Sequence, residues 1–310
     1  MTGPSMTGPS TADPALTGPS MADPALTGPS MADPALTEPG RRAPGPVEQA
    51  LRQRRASGGK SLVPFVTAGI TADWTSYVRA CAEHGADAIE IGLPFSDPML
   101  DGPVIQAASG QALARGARTA GLLDELAALD AGVPLIVMTY SNIVRRSGDE
   151  AFCQRLAAAG VRGLIVPDTP VDEVEPLLVA SRAAGLELIL LVAPSTRPHR
   201  VSRIAELSSG FVYAVSNMGV TGLRDEVSAT VQRTVAGIRN HTSLPVLVGF
   251  GISSPAQAVE TSHQADGVVV ASALMRDVLA GASAAELGAT VASFRSALDA
   301  VDWAAAVTPG

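Results

Sequence analysis

The chain has 310 residues, is 46% hydrophobic and 4% aromatic, and carries a net charge of −8. That is enough apolar material for one barrel of about 250 residues or for two smaller domains. Its lone lysine, Lys60, and the absence of a basic run beyond Arg52 to Arg55 argue against a nucleic-acid partner. No apolar run approaches a membrane span, and the N-terminus lacks the basic patch and apolar core of a signal peptide, so a cytoplasmic protein is expected.

Residues 1–40 are a near-perfect decamer repeat: T-A-D-P-A-L-T-G-P-S is followed by M-A-D-P-A-L-T-G-P-S and M-A-D-P-A-L-T-E-P-G. Pro, Gly, Ser, Thr and Ala cannot bury enough apolar surface to offset ordering entropy. Residues 1–45 are therefore expected to form a disordered tail, and 46–305 the folded domain. Val47 to Ala56 reads as a short basic helix capping one end of that domain. The G-G-K-S at 58–61 resembles the end of a phosphate P-loop, but Arg54 stands where that motif needs glycine, and a strand follows rather than a helix.

From Ser61 the chain alternates strand and helix. Strand-like runs are Leu62–Thr67, Ala88–Gly92, Pro134–Tyr140, Gly163–Val166, Leu188–Val192, Phe211–Val215, Pro245–Gly249 and Gly267–Val270. Helix-period segments are Trp74–His84, Val104–Arg115, Asp149–Ala159, Val171–Ala184, Pro198–Leu207, Glu226–Asn240 and Pro255–His263, with a helix or two after Ala271. Cys81 and Cys153 fall in helical segments and read as buried, reduced thiols. Near-continuous apolar strands separated by helices indicate a parallel sheet. Eight such units predict a closed (β/α)8, or TIM, barrel. An open doubly wound sheet is the alternative, and the lack of a G-x-G-x-x-G after the first strand counts against it. Residues 117–132 add a helix to the second unit, an insertion of the kind that carries specificity or a partner contact.

The most informative stretch runs from Ala86 to Gln106. Ile89 and Ile91 share one parity; Ala88, Glu90 and Gly92 share the other. A carboxylate on the inner face of a buried strand is costly unless it is used, which makes Glu90 a catalytic candidate. A loop with Asp97 and Asp101 follows, and Gly102-Pro103 opens a helix. From the residues alone, Asp101 also fits a turn or capping position, and Tyr213 a packing one. Late glycine-rich segments, S-N-M-G-V-T-G (216–222), G-F-G-I-S-S (249–254) and A-S-A-L (271–274), follow strands six, seven and eight. In barrels, phosphate is held by the loops after strands seven and eight and by a helix N-terminus, with no need for lysine.

The segments L-V-P-F-V-T-A-G, P-F-S-D-P-M-L-D-G-P-V-I-Q, M-T-Y-S-N, V-P-D-T-P, F-V-Y-A-V-S-N-M-G-V-T-G and V-G-F-G-I-S-S-P-A-Q, in that order over about residues 47–300, resemble the tryptophan synthase alpha chain family. The resemblance implies retro-aldol cleavage of indole-3-glycerol phosphate to indole and glyceraldehyde 3-phosphate, with no cofactor or metal in this chain. It further implies that Glu90 is the general acid/base, that Asp101 holds the indole N–H and stabilises the protonated ring, and that Tyr213 lines the site. Phe65, Tyr140, Ile165 and Phe250 would pack the ring, Thr221 would close onto the aspartate, and Gly222, Gly251 and Ser272 would bind phosphate. Asp97, Pro98, Asn142 and Pro170 match positions that contact a pyridoxal-phosphate beta subunit in an alpha2beta2 assembly. The chain departs from the family pattern at Leu100, Ala271 and Asn217-Met218. A free-standing lyase that releases indole, or a non-catalytic activator of a beta chain, are the rival readings. Glu90 and Asp101 count against the activator, and the beta-contact positions against the lyase.

Overall fold

The computed structural model describes residues 3, 36–38, 41–216, 224–249, 251–303 and 305. The chain divides into two compact units, residues 1–43 and 44–310. In the first, two short antiparallel strands, Leu36–Glu38 and Arg41–Arg42, fall inside the stretch expected to be disordered; most of the rest of that stretch lies outside the described residues. Among the described residues, no helix is long and apolar enough to cross a membrane.

The second unit is a closed barrel of eight parallel strands with helices outside, which excludes the open sheet. The strands are β1 (Ser61–Thr67), β2 (Ile89–Gly92), β3 (Leu135–Met138), β4 (Val161–Ile165), β5 (Glu187–Val192), β6 (Val212–Val215), β7 (Val246–Gly249) and β8 (Gly267–Val270). Each hydrogen-bonds to its neighbour in sequence, and β8 closes onto β1 through Gly267↔Ser61 to Val270↔Pro64. Almost every strand residue is buried, as expected when one face meets helices and the other fills the lumen.

The helices are α1 (Pro46–Ala56), α2 (Trp74–Glu83), α3 (Pro103–Ala114), α4 (Thr119–Ala127), α5 (Ser141–Ser147), α6 (Asp149–Ala158), α7 (Glu175–Ala183), α8 (Pro198–Leu207), α9 (Arg224–Arg239), α10 (Pro255–Ser262), α11 (Ser272–Leu279) and α12 (Ala284–Asp299). Bounds differ from the sequence reading by a residue or two at most ends. The inserted helix at 117–132 is α4. One helix of the barrel unit is new: α5, a two-turn helix where the pattern suggested only a strand end. It is too short to show a period, and a carboxylate distant in sequence starts it: Asp168 accepts the Ser141 N–H at 2.9 Å and its hydroxyl at 2.7 Å.

Carboxylates close the N-terminal end of the barrel. Glu187, at the start of β5, accepts the first N–H groups of α1 from Val47 (2.7 Å) and Glu48 (2.9 Å). It caps a helix whose own N-cap, Gly45, has no side chain to offer. Asp87 accepts the Leu62 N–H and the Arg54 guanidinium. Asp266 accepts the Val246 N–H at 2.9 Å and pairs with Arg239. Lys60 is at this end too, donating to the Ala265 carbonyl at 2.7 Å under the Trp303 ring, so the G-G-K-S loop holds the scaffold. Cys81 and Cys153 are buried and unpaired, and burial pushes their thiols up to about 12 and about 11.

Candidate active site

The opposite end of the barrel holds a cavity of about 350 Å³. Its floor comes from inward-facing strand residues: Phe65 of β1, Glu90 of β2, Met138 of β3, Tyr213 of β6 and Val269 of β8. Phe65 and Glu90 are register partners across β1 and β2, so the alternation that turned Ile89 and Ile91 outward turned Glu90 into the lumen. The rim comes from loops: Leu100, Asp101 and Gly102 after β2, Gly251 and Ile252 after β7, Ala271 and Ser272 after β8. Ile105, in the first turns of α3, closes one side.

Glu90 is 1% exposed. Its Oε2 is buried with no hydrogen-bond partner among the described residues. That separates it from Asp87, Glu187 and Asp266, whose oxygens hold backbone N–H groups or arginine guanidinium groups. An unmet buried acceptor costs roughly 1–3 kcal/mol, more for a charged group, and contributes nothing to the fold. Burial, with the nearby Asp101 charge second, pushes the Glu90 carboxyl up to about 8. Asp101 sits half-buried at the rim. Burial pushes its carboxyl up to about 6, and a hydrogen bond from the Tyr140 hydroxyl opposes that rise. Burial, then Glu90 and Asp101, raise the Tyr213 phenol well above its ordinary value, so Tyr213 stays a neutral donor. Two carboxyls of one cavity thus differ enough for one to hold its proton near neutrality while the other is ionised.

Two strand-end glycines make room for the aromatic floor. A Cβ on Gly92 would lie 2.3 Å from the Phe65 ring, and one on Gly249 would lie 2.0 Å from the Tyr213 hydroxyl. At either position the ring or the main chain has to shift to admit a methyl group. Gly249→Ala is expected to destabilise the barrel by about 1–3 kcal/mol through overpacking, read as a lower urea midpoint. An unchanged midpoint would show that the Tyr213 ring is free to shift.

The rim also carries an uncapped helix N-terminus. Ser272 is the first residue of α11, whose N-cap Ala271 provides no side-chain cap, so the first-turn N–H groups remain available to a ligand. Gly251, at φ 81°, holds a backbone conformation that favours glycine and brings the main chain to the cavity wall.

The structure therefore brings together Glu90, Asp101, Tyr213, Phe65, Gly251 and Ser272 around one cavity. The departures Leu100 and Ala271 lie on its wall as well. Tyr140 and Ile165 do not: Ile165 is fully buried in β4, and Tyr140 stacks on Phe95 at 5.1 Å between ring centroids. Thr221, Gly222, Phe250, Asn217 and Met218 lie outside the described residues. Asp97, Asn142 and Pro170 are exposed and Pro98 half-buried, Asp97 and Pro98 on the loop after β2, Asn142 in the first turn of α5 after β3, and Pro170 on the loop after β4. Met138 and Val269 were not singled out in the sequence, although the inward parity of their strands carries them. Ile105 and Ile252 gave no signal.

The chain is similar to known proteins of one family. The family model described as tryptophan synthase alpha chain matches residues 51–300. The tryptophan synthase alpha chain of Gloeobacter violaceus is 46% identical over 252 residues, spanning 79% of this chain and 91% of that one. That of Thermobifida fusca is 44% identical over 239 residues, spanning 75% and 88%. A solved tryptophan synthase structure from M. tuberculosis superposes with a TM-score of 0.76 at 37% identity, covering 83% of this chain and 99% of that chain. The alpha subunit from Legionella pneumophila gives 0.75 at 31% identity, covering 84% and 100%. With a family model spanning the whole barrel and relatives aligned over nine-tenths of their own length, the chain belongs to the tryptophan synthase alpha chain family.

Proposed function

We propose that the chain cleaves indole-3-glycerol phosphate to indole and glyceraldehyde 3-phosphate. The supporting observation is the pair of carboxyls in one largely apolar cavity, Glu90 at about 8 and Asp101 at about 6. Cleavage requires a proton on the indole C3, which interrupts aromaticity and leaves a cation across C2 and N1. Protonated Glu90 supplies that proton, and ionised Asp101 accepts the ring N–H and stabilises the cation. Glu90, now a carboxylate, takes the proton of the adjacent glycerol hydroxyl. The C–C bond breaks, its electron pair returns to the ring, and the hydroxyl carbon leaves as the aldehyde. Glu90 ends as it began, so protons balance without an external base. The substrate phosphate fits the N-terminus of α11 beside Ser272 and Gly251, with Gly222 as a further contact. Phe65, and Phe250 with it, flank the ring. Thr221 closes onto Asp101.

In this reading the chain has no cofactor of its own and works in the cytoplasm. Indole passes to a beta subunit carrying pyridoxal phosphate, in an alpha2beta2 assembly, and Asp97, Pro98, Asn142 and Pro170 form the docking edge. Because the loop with Asp97 and Pro98 also carries Asp101, docking acts on the reacting group. Indole release from indole-3-glycerol phosphate, measured with and without a cognate beta chain, tests both parts. The expected result is low turnover alone and at least about tenfold activation, a coupling of about 1.4 kcal/mol. No indole release under either condition overturns the reaction. High turnover alone, with no association by calorimetry, overturns the partnership.

A further inference from the structure

We propose that Tyr140 is a positioning residue: through its hydroxyl it straps the loop after β2 and sets the Asp101 carboxylate at the cavity rim, rather than packing the substrate ring. The inference rests on the reaction proposed above and adds a role for a group off the cavity wall. Tyr140 is 4% exposed and touches the loop at both ends. Its ring stacks on Phe95, with centroids 5.1 Å apart and planes at 29°, where the loop leaves β2. Its hydroxyl accepts the Leu100 N–H at 3.2 Å, one residue before Asp101, where the loop re-enters the site, and from there it lowers the Asp101 carboxyl. Between those points, among the described residues, the loop's own bonds are local: Ser96 Oγ to the Asp97 carboxylate at 2.6 Å, Met99 N–H to the Asp97 carbonyl at 2.8 Å and Asp101 N–H to the Pro98 carbonyl at 3.0 Å. Gln106 of α3 donates to the Asp101 carbonyl at 2.8 Å and holds its main chain, not its carboxylate. Such short-range bonds shape a turn but do not fix it against the barrel. The strap has a firm base: Tyr140 is the N-cap of α5, and Asp168 holds the next residue, Ser141, by its N–H and hydroxyl.

Tyr140→Phe keeps the ring and its stacking and removes the hydroxyl that holds the Leu100 N–H and lowers the Asp101 carboxyl. The titratable groups around Asp101 are Glu90 on β2, Tyr213 on β6 and Tyr140 itself, with Asp168 acting on Tyr140. Of these, the Tyr140 hydroxyl lowers the Asp101 carboxyl. Its loss is therefore expected to move the acidic limb of the kcat/KM profile upward by about one pH unit. It is also expected to reduce kcat by about tenfold or more at neutral pH, the scale of a lost hydrogen bond to a charged group, with KM little changed. A carbon-13 NMR titration of the Asp101 carboxyl in the unliganded protein reads the same upward shift without the reaction, so it separates this proposal from the proposed activity. If the parent protein releases no indole, the reaction fails and the titration still decides the strap. If the acidic limb and the Asp101 titration are unmoved in Tyr140→Phe while Tyr140→Leu raises KM, Tyr140 is a ring contact and the proposal is overturned.

Discussion

Glu90→Gln is expected to reduce indole release by on the order of 10²–10⁴, about 3–5 kcal/mol of barrier, while making the barrel more stable at alkaline pH. The first effect follows from chemistry: the amide keeps the shape of the protonated carboxyl and has no transferable proton. The second follows from linkage. Glu90 titrates at about 8 in the folded chain against an ordinary 4.5, so the folded state binds more protons between those values. Stability falls as pH rises wherever the folded state binds more protons. The Glu90 contribution is therefore absent below about 4.5, grows as a penalty between about 4.5 and about 8, and is constant above that. Gln at this position removes the penalty. Melting temperature measured against pH should show the two proteins converging in acid, with the variant ahead at pH 8–9. A variant with near-parental turnover would remove Glu90 from the chemistry, and superimposable melting profiles would mean that the folded carboxyl is not held neutral.

The fold was legible in the sequence because a parallel barrel writes itself as repeated buried runs, and every strand from β1 to β8 left such a run. Glu90 was legible for the same reason: one charged residue on the inner parity of an apolar strand breaks a pattern that packing alone would keep. Part of the cavity rim was legible as a glycine after β7 and a serine opening α11. What stayed hidden depends on contacts distant in sequence. No local pattern announces that Asp168 starts α5, or that Glu187 caps α1. The Tyr140 side chain could not be assigned from its strand, because its place is set by Phe95 and Leu100 in the preceding unit. Family resemblance put Tyr140 and Ile165 beside the substrate ring; the cavity wall itself includes Met138, the register partner of Ile165, and Ile105.

Asp101→Asn is expected to cost on the order of 10²–10³ in kcat, the scale of removing one preorganised group aimed at developing charge, with little change in substrate affinity. The asparagine carbonyl can still accept the ring N–H, so the ground-state contact survives and the charge that offsets the protonated ring is lost. The pH profile gives the sharper test. In the parent protein kcat/KM should rise through about 6 as Asp101 ionises and fall through about 8 as Glu90 loses its proton, the apparent values belonging to the interacting pair. Replacing Asp101 removes the group responsible for the acidic limb, which should disappear. It also removes a negative charge that helps hold the Glu90 proton, so the alkaline limb should move to lower pH. Both changes have to occur together, because both come from one carboxylate lying close to the other. Loss of the acidic limb with the alkaline limb unmoved would mean that Asp101 does not act on Glu90 across the cavity, and activity within about threefold of the parent would show that the cation is stabilised by another group.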